Sequence, residues 1–263
     1  MRGEDRSPYR PTALLIGSMA LHAAGAVALA AAPRHWKAVA GALFANHVVL
    51  AAASLWPRGQ AVGPNLIRLP AAGREISLTF DDGPDPEVTP RVLDLLDAAG
   101  QRATFFVIGR RVRAHPEIAA EIAHRGHRVE NHTETHPHLF ACYPPGLLRR
   151  EVARAQDSIA MVTGERPRLF RAPAGLRNPF LDWVLHGAGL RLVSWTRRGF
   201  DAVESDPKAV ARRLLAGLSP RDILLLHDGR AYGSRGGNPV VLEVLPRMLD
   251  ALAARGLRSV PVP

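Results

Sequence analysis

The chain changes character a quarter of the way along. No charged residue lies between Pro11 and Pro33, and none between Ala38 and Pro57. Each run approaches the ~20 apolar residues that a membrane-crossing helix needs. A short polar break, Pro33-Arg34-His35-Trp36-Lys37, separates them, and Trp36 and Trp56 stand at their edges, where amphipathic rings favour a lipid–water interface. Small residues dominate both runs, which suits two helices packed closely in lipid. The pattern predicts a helical membrane hairpin over residues 1–56, with spans at about 12–32 and 38–56. Arg2, Arg6 and Arg10 ahead of the first run also fit a cleaved signal segment, although the run is long for one and a second follows. Arg2, Arg6, Arg10, Arg58 and Arg68 flank the pair, against Arg34 and Lys37 between the runs, a weak vote for a cytoplasmic remainder. The expected location is a membrane, the inner membrane of a bacterium, with the side undecided. Residues 57–73, with Pro57, Gly59, Gly63, Pro64, Pro70 and Gly73, read as a linker.

From Arg74 the pattern alternates short apolar runs with helical periodicity. Strands are expected at 75–80, 103–108, 127–130, 168–170, 190–195, 223–226 and 257–262, and helices at 88–99, 110–124, 146–162, 178–187, 207–217 and 239–254. Strands separated by helices pair in parallel through right-handed crossovers. The expected fold is α/β: a distorted or incomplete parallel (β/α) barrel of about seven strands over residues 74–263, with a doubly wound open sheet as the alternative.

The polar punctuation of this pattern is regular. Asp81, Asp82, His132, His136, Arg171, Asp201 and His227 all fall at or just after strand C-terminal ends, the face on which parallel barrels assemble their sites. His132 and His136 are four apart and would point the same way on a helical turn, so both could hold one metal ion. A carboxylate from Asp81-Asp82 would complete a three-ligand site, and its neighbour would be free to take a proton from water. Gly83-Pro84 would set that turn. His138 reads as a bystander, and His115, His124, His127 and His186 as helix-surface or loop residues.

Composition narrows the reading further. Of the formal charge of +10, half sits on residues 1–68, which hold seven basic and two acidic residues. Those bases flank the apolar runs, where they suit anionic headgroups. No nucleic-acid-binding motif accompanies the arginines, and no nucleic-acid partner is expected. The one cysteine, Cys142, excludes an intrachain disulfide and a Cys-based zinc finger.

Thr79-Phe80-Asp81-Asp82-Gly83-Pro84, His132-Thr133-Glu134-Thr135-His136, Arg171-Ala172-Pro173-Ala174-Gly175 and Leu224-Leu225-Leu226-His227 resemble, in order, signatures of the polysaccharide deacetylases, the NodB-homology domain of carbohydrate esterase family four. The resemblance covers residues 74–263 and none of the first 73. It implies a hydrolase that removes acetyl groups from N-acetylated sugars of a polysaccharide, oligosaccharide or lipid-linked saccharide. Asp82, His132 and His136 would bind a divalent metal, zinc first, with cobalt or nickel as substitutes. Asp81 would be the general base, kept ionised by Arg171. The backbone amide of Ala174 would hold the oxyanion, His227 would be the general acid, and Asp201 would tune the Arg171 and His227 side. Two departures stand out. Ala174 occupies a position that is often aromatic. In the fourth signature, which usually carries two aspartates three apart and then Trp, Arg198 replaces the first aspartate and Ala202 the Trp. The same site could support an O-deacetylase or a deformylase. An inactive, membrane-tethered carbohydrate-binding module is the non-catalytic alternative. Few aromatics are available to stack on a polymer (Tyr143, Trp183, Trp195 and Tyr232 beside the phenylalanines), which keeps a short or lipid-carried substrate open.

Overall fold

The structure, a computed structural model, describes residues 8–70, 73–229, 233–234 and 237–263; Arg2, Arg6 and Tyr232 lie outside them. Two long helices come first, α1 (Ala13–Ala31) and α2 (Trp36–Ser54). Thr12 caps α1 by accepting the Leu15 amide, and α1 packs along α2 through Asn46, whose side chain donates to Ser18 Oγ at 2.9 Å. Most side chains of both helices face outward, and both are long and apolar enough to cross a membrane.

The rest is an α/β half-barrel. Its strands are β1 (Glu75–Asp81), β2 (Ala103–Val107), β3 (Arg128–Asn131), β4 (Leu169–Phe170), β5 (Arg191–Leu192), β6 (Arg197–Arg198), β7 (Ile223–His227) and β8 (Arg258–Ser259). All pair in parallel, in the order β5-β4-β3-β2-β1-β7-β6, with β8 on the first two residues of β1. The helices between them are α3 (Thr89–Ala98), α4 (Gly109–Ala114), α5 (Pro116–His124), α6 (Pro145–Thr163), α7 (Leu181–Ala188), α8 (Pro207–Leu215) and α9 (Val240–Ala254).

The two-residue period of the strands divides their side chains. Ile76, Leu78 and Phe80 of β1, Phe105 and Val107 of β2, and Leu224 and Leu226 of β7 face outward into one core with α3, α8 and α9. The alternate positions face inward, where Phe106, Leu169 and Ile223 meet Leu69, Val193 and Val262. Asp81, Leu225 and His227 belong to this inner set, so the same alternation that builds the outer core aims them at the barrel mouth.

Several elements differ from expectation. The helix expected over 110–124 is two, because Pro116 carries no amide hydrogen and holds His115 at φ −135°, ψ 62°. The strand expected at 190–195 is only Arg191–Leu192, and β6 follows as a separate strand of two arginines. His127 is a buried residue, not a surface one; its Nδ1 accepts the Ala103 amide at 3.2 Å, and burial together with Arg102 pushes its pKa down to about 4. Residues 57–70 are pinned to the domain along their length. Leu66 bridges Val193 in parallel and Arg68 bridges Asp222 antiparallel, which laces the gap between β5 and β7. Val62 and Leu69 are buried, and the Pro57 carbonyl accepts Ser194 Oγ at 2.7 Å.

Candidate metal-dependent active site

One cleft of about 230 Å³ is lined by Asp81, Asp82, His132, His136, Ala174, Trp195, Arg198, Ala202, Val203, Leu225 and His227, among others. Every signature found in the sequence therefore reaches the same place. Asp82 Oδ1 lies 3.4 Å from His132 Nε2 and 3.2 Å from His136 Nε2. Tetrahedral zinc with ligand bonds near 2.05 Å separates its ligand atoms by about 3.3 Å. The donor set, two imidazoles and a carboxylate, is also one that zinc favours. His132 Nδ1 is 2.8 Å from the Arg171 carbonyl; donation along that bond leaves Nε2 as a lone-pair donor aimed at the cleft. The residues present thus fit a divalent metal.

The two histidines do not share a helix. Residues 132–136 form an irregular turn in which Thr133 (φ 68°) and His136 (φ 53°) are left-handed. Asp82 (φ 73°) and Ala174 (φ 54°) are left-handed too, a conformation that costs about 1 kcal/mol or more in a non-glycine residue. Local bonds hold these turns. Asn131 Oδ1 accepts the Thr133 amide at 2.9 Å, and Thr133 Oγ1 accepts the His136 amide at 3.0 Å. The buried Glu151 of α6 accepts both the amide and the hydroxyl of Thr135, at 2.9 and 3.0 Å. Glu134 turns away from the cleft to pair with Arg113 and take a bond from Ser158. Gly83 is needed for close approach: a Cβ there would sit 2.3 Å from a carboxylate oxygen of the buried Asp228, which in turn accepts Thr89 Oγ1 at 2.6 Å.

Arg171 is fully buried at the end of β4. Its Nη1 donates to Asp81 Oδ1 at 2.6 Å and to Thr79 Oγ1 at 2.8 Å, Nη2 donates to the Ser194 carbonyl at 3.0 Å, and its guanidinium lies 4.0 Å from the Phe106 ring centre. A buried cation of this kind persists only when it is paired and its donors are used. Asp201 meets His227, not Arg171: Oδ1 is 2.9 Å from His227 Nδ1, and Oδ2 accepts the His227 amide at 2.7 Å. Burial disfavours the charged ring, but Asp201, followed by Asp81 and Asp82, outweighs it and pushes the His227 pKa up to about 9. Asp82 is held well below the usual carboxylate range. Burial opposes that, and the hydrogen bond and charge of His132, with His136 and His227, overcome it.

Sequence reasoning passed over the supporting residues. Thr79 stood two before Asp81 on a strand, hence on the same face, and was legible on that ground. Ser194, Glu151 and Asp228 act through chain-distant contacts and carried no such signal.

The family model for polysaccharide deacetylase matches residues 69–193. A chitooligosaccharide deacetylase of a Bradyrhizobium strain is 36% identical over 197 residues, covering 72% of this chain and 90% of that protein. A peptidoglycan-N-acetylglucosamine deacetylase of Bacillus cereus is 33% identical over 190 residues, covering 71% and 85%. Among solved structures, a family 4 carbohydrate esterase from Streptomyces lividans in complex with acetate superposes with a TM-score of 0.64 at 32% identity, covering 72% of this chain and 93% of that one. The half-barrel, its cleft and these likenesses make the class clear: a carbohydrate esterase fold, here with three side chains that could hold a metal ion. The chain belongs to the polysaccharide deacetylase family.

Proposed function

We propose that this chain is a metal-dependent hydrolase that removes the acetyl group from an N-acetylated sugar. The observation that carries the reading is the convergence of Asp82, His132 and His136 with two polarised pairs, Asp81–Arg171 and His227–Asp201, on one cleft. Asp82, His132 and His136 would hold the metal, and zinc fits the donor set, with cobalt or nickel able to replace it. Such an ion supplies a water of lowered pKa and polarises the amide carbonyl. Asp81 takes the proton of the attacking water, with Arg171 anchoring its other oxygen. The Ala174 amide, on the exposed left-handed turn facing the cleft, stabilises the oxyanion. His227 delivers a proton to the leaving amine from Nε2, because Asp201 engages Nδ1.

We further propose that α1 and α2 anchor the chain in a bacterial inner membrane and that the saccharide is short or lipid-carried. An apolar groove of about 880 Å³ between the hairpin and the domain, lined by Leu15, Met19, Leu50, Leu55, Phe180 and Trp183 among others, supports this. It shares the 174–177 segment with the cleft, since Arg177 lines the groove and Ala174 the cleft.

The test is acetate release from defined N-acetyl saccharides, chitin oligomers and a polyprenyl-linked N-acetylhexosamine, with chelator and after zinc is restored. Activity is expected to disappear with chelator and return with zinc. Asp81→Asn is expected to lower kcat by about 10²–10⁴-fold. Equal turnover in Asp81→Asn and parent would refute the base assignment. Turnover of chitin oligomers with none of the lipid-linked sugar would remove the lipid-carried substrate.

A further inference from the structure

Arg198 is a half-buried cation in the cleft, and among the described residues it forms no ion pair. Its neighbour on β6, Arg197, shows the contrast by pairing with Asp222 at 2.5 Å. Arg198 instead lies against two aromatic rings, 5.4 Å from the centre of Trp195 and 4.9 Å from that of Phe200. Its Nε is buried without a hydrogen-bond partner. Register with Leu225 on β7, two residues before His227, holds it on the inner side of the mouth.

The carboxylates of the cleft are already engaged elsewhere. Asp81 is bound by Arg171, Asp201 by His227, and Asp82 faces the two metal-ligand histidines. A guanidinium packed against aromatic rings has lost rotational freedom, so little more is lost when it binds. Its planar fork suits an oxyanion with two oxygens in one plane. The Nη groups of Arg198, which are not fully buried and make no hydrogen bond among the described residues, are the donors open to an acceptor brought with the substrate.

We propose that Arg198 is a specificity-determining residue that binds an oxyanion carried by the sugar beside the acetamido group. The shared chemistry is a phosphate ester or a carboxylate, in place of the uncharged hydroxyl of a plain N-acetylhexosamine chain. Ala202 and Val203 line the same cleft with side chains smaller than an aromatic ring. This deepens the deacetylase reading and rests on it for the reaction, but not for the binding.

The experiment therefore measures binding with deacetylated sugars, which cannot turn over, on the full chain in detergent, loaded with zinc. Calorimetry compares methyl glucosaminide, glucosamine 1-phosphate and muramic acid, so the phosphate and carboxylate arms separate the two sources. At least one of the two sugars that carry an oxyanion is expected to bind about tenfold or more tightly than methyl glucosaminide, which shares their amine and lacks the oxyanion. Arg198→Gln is expected to erase that preference and Arg198→Lys to keep part of it. The parent's preference is also expected to shrink as salt rises, a readout that needs no variant to fold. Equal affinity for all three sugars, or a preference that survives in a folded Arg198→Gln, overturns the proposal. Acetate release from the matching N-acetyl sugars tests the deacetylase reading separately. An anionic preference that depends on Arg198, with no acetate from any sugar, supports the subsite and removes the activity.

Discussion

At the residue scale, the pair His227–Asp201 is expected to set the pH at which the proposed reaction runs. The proposed general acid must carry its proton when the amine leaves, and a pKa of about 9 keeps it protonated through neutral pH. A raised pKa favours the protonated form, so this contribution is intact at low pH and is lost as pH rises through about 9. A bound divalent metal opposes part of this elevation, so the alkaline limb of kcat/KM on zinc-loaded protein is expected above neutrality and no higher than about 9. Asp201→Asn removes the charge and keeps one acceptor oxygen for the His227 ring, at the cost of the bond to the His227 amide. The limb is expected to move down by about 1–2 pH units, measured as a pH–rate profile on zinc-loaded protein. A limb that stays in place would detach Asp201 from the acid. Asp81 and Asp82 also raise this pKa, so some elevation persists in the variant.

At the element scale, the turn proposed to hold the metal, residues 132–136, is irregular and is held by the helices behind it. Glu151 of α6 binds Thr135, next to the proposed ligand His136, by both amide and hydroxyl. Partners one step behind metal ligands are typically worth 10–100-fold in affinity. Glu151→Ala is therefore expected to weaken zinc binding by about tenfold or more in competition with a chromogenic chelator, while circular dichroism stays that of the parent. Glu151→Gln, which keeps one acceptor oxygen, is expected to recover part of the loss. This layer was the least legible from sequence. The long apolar runs of α1 and α2, and the strands β1, β2 and β7, stood out because one physical period dominates each. Strand β6 did not, because two arginines between Thr196 and Gly199 have no apolar alternation and pair only through β7. His132 and His136 stood out by spacing, though the helical turn that justified the spacing is absent. Four left-handed residues bring the groups together instead, and backbone strain of that kind leaves little trace in residue type. His127 was misjudged because burial by Phe105, across the neighbouring strand, is a tertiary fact.

At the scale of the whole molecule, the segment read as a linker, residues 57–73, is held against the barrel over residues 57–70. Leu66 and Arg68 lace the sheet, Val62 and Leu69 are buried, and Arg177 donates to the carbonyls of Gly59 and Gly63. Each of those two apolar side chains is worth roughly 1.5–3 kcal/mol when fully buried. A chain starting at residue 56 is expected to be soluble and to keep a cooperative thermal transition. One starting at residue 74 is expected to melt at markedly lower temperature or to aggregate, as followed by circular dichroism and light scattering. Matching transitions in the two would return the segment to the status of a spacer. The same lacing carries the catalytic loop down to the foot of the hairpin, where the Arg177 amide meets the Ser54 carbonyl at 3.4 Å. Under the proposed anchoring, the domain has no slack with which to swing away from the bilayer. Such an enzyme patrols an area and not a volume. Its encounters follow lateral diffusion, and the abundance that governs its rate is counted in substrate molecules per unit of membrane surface.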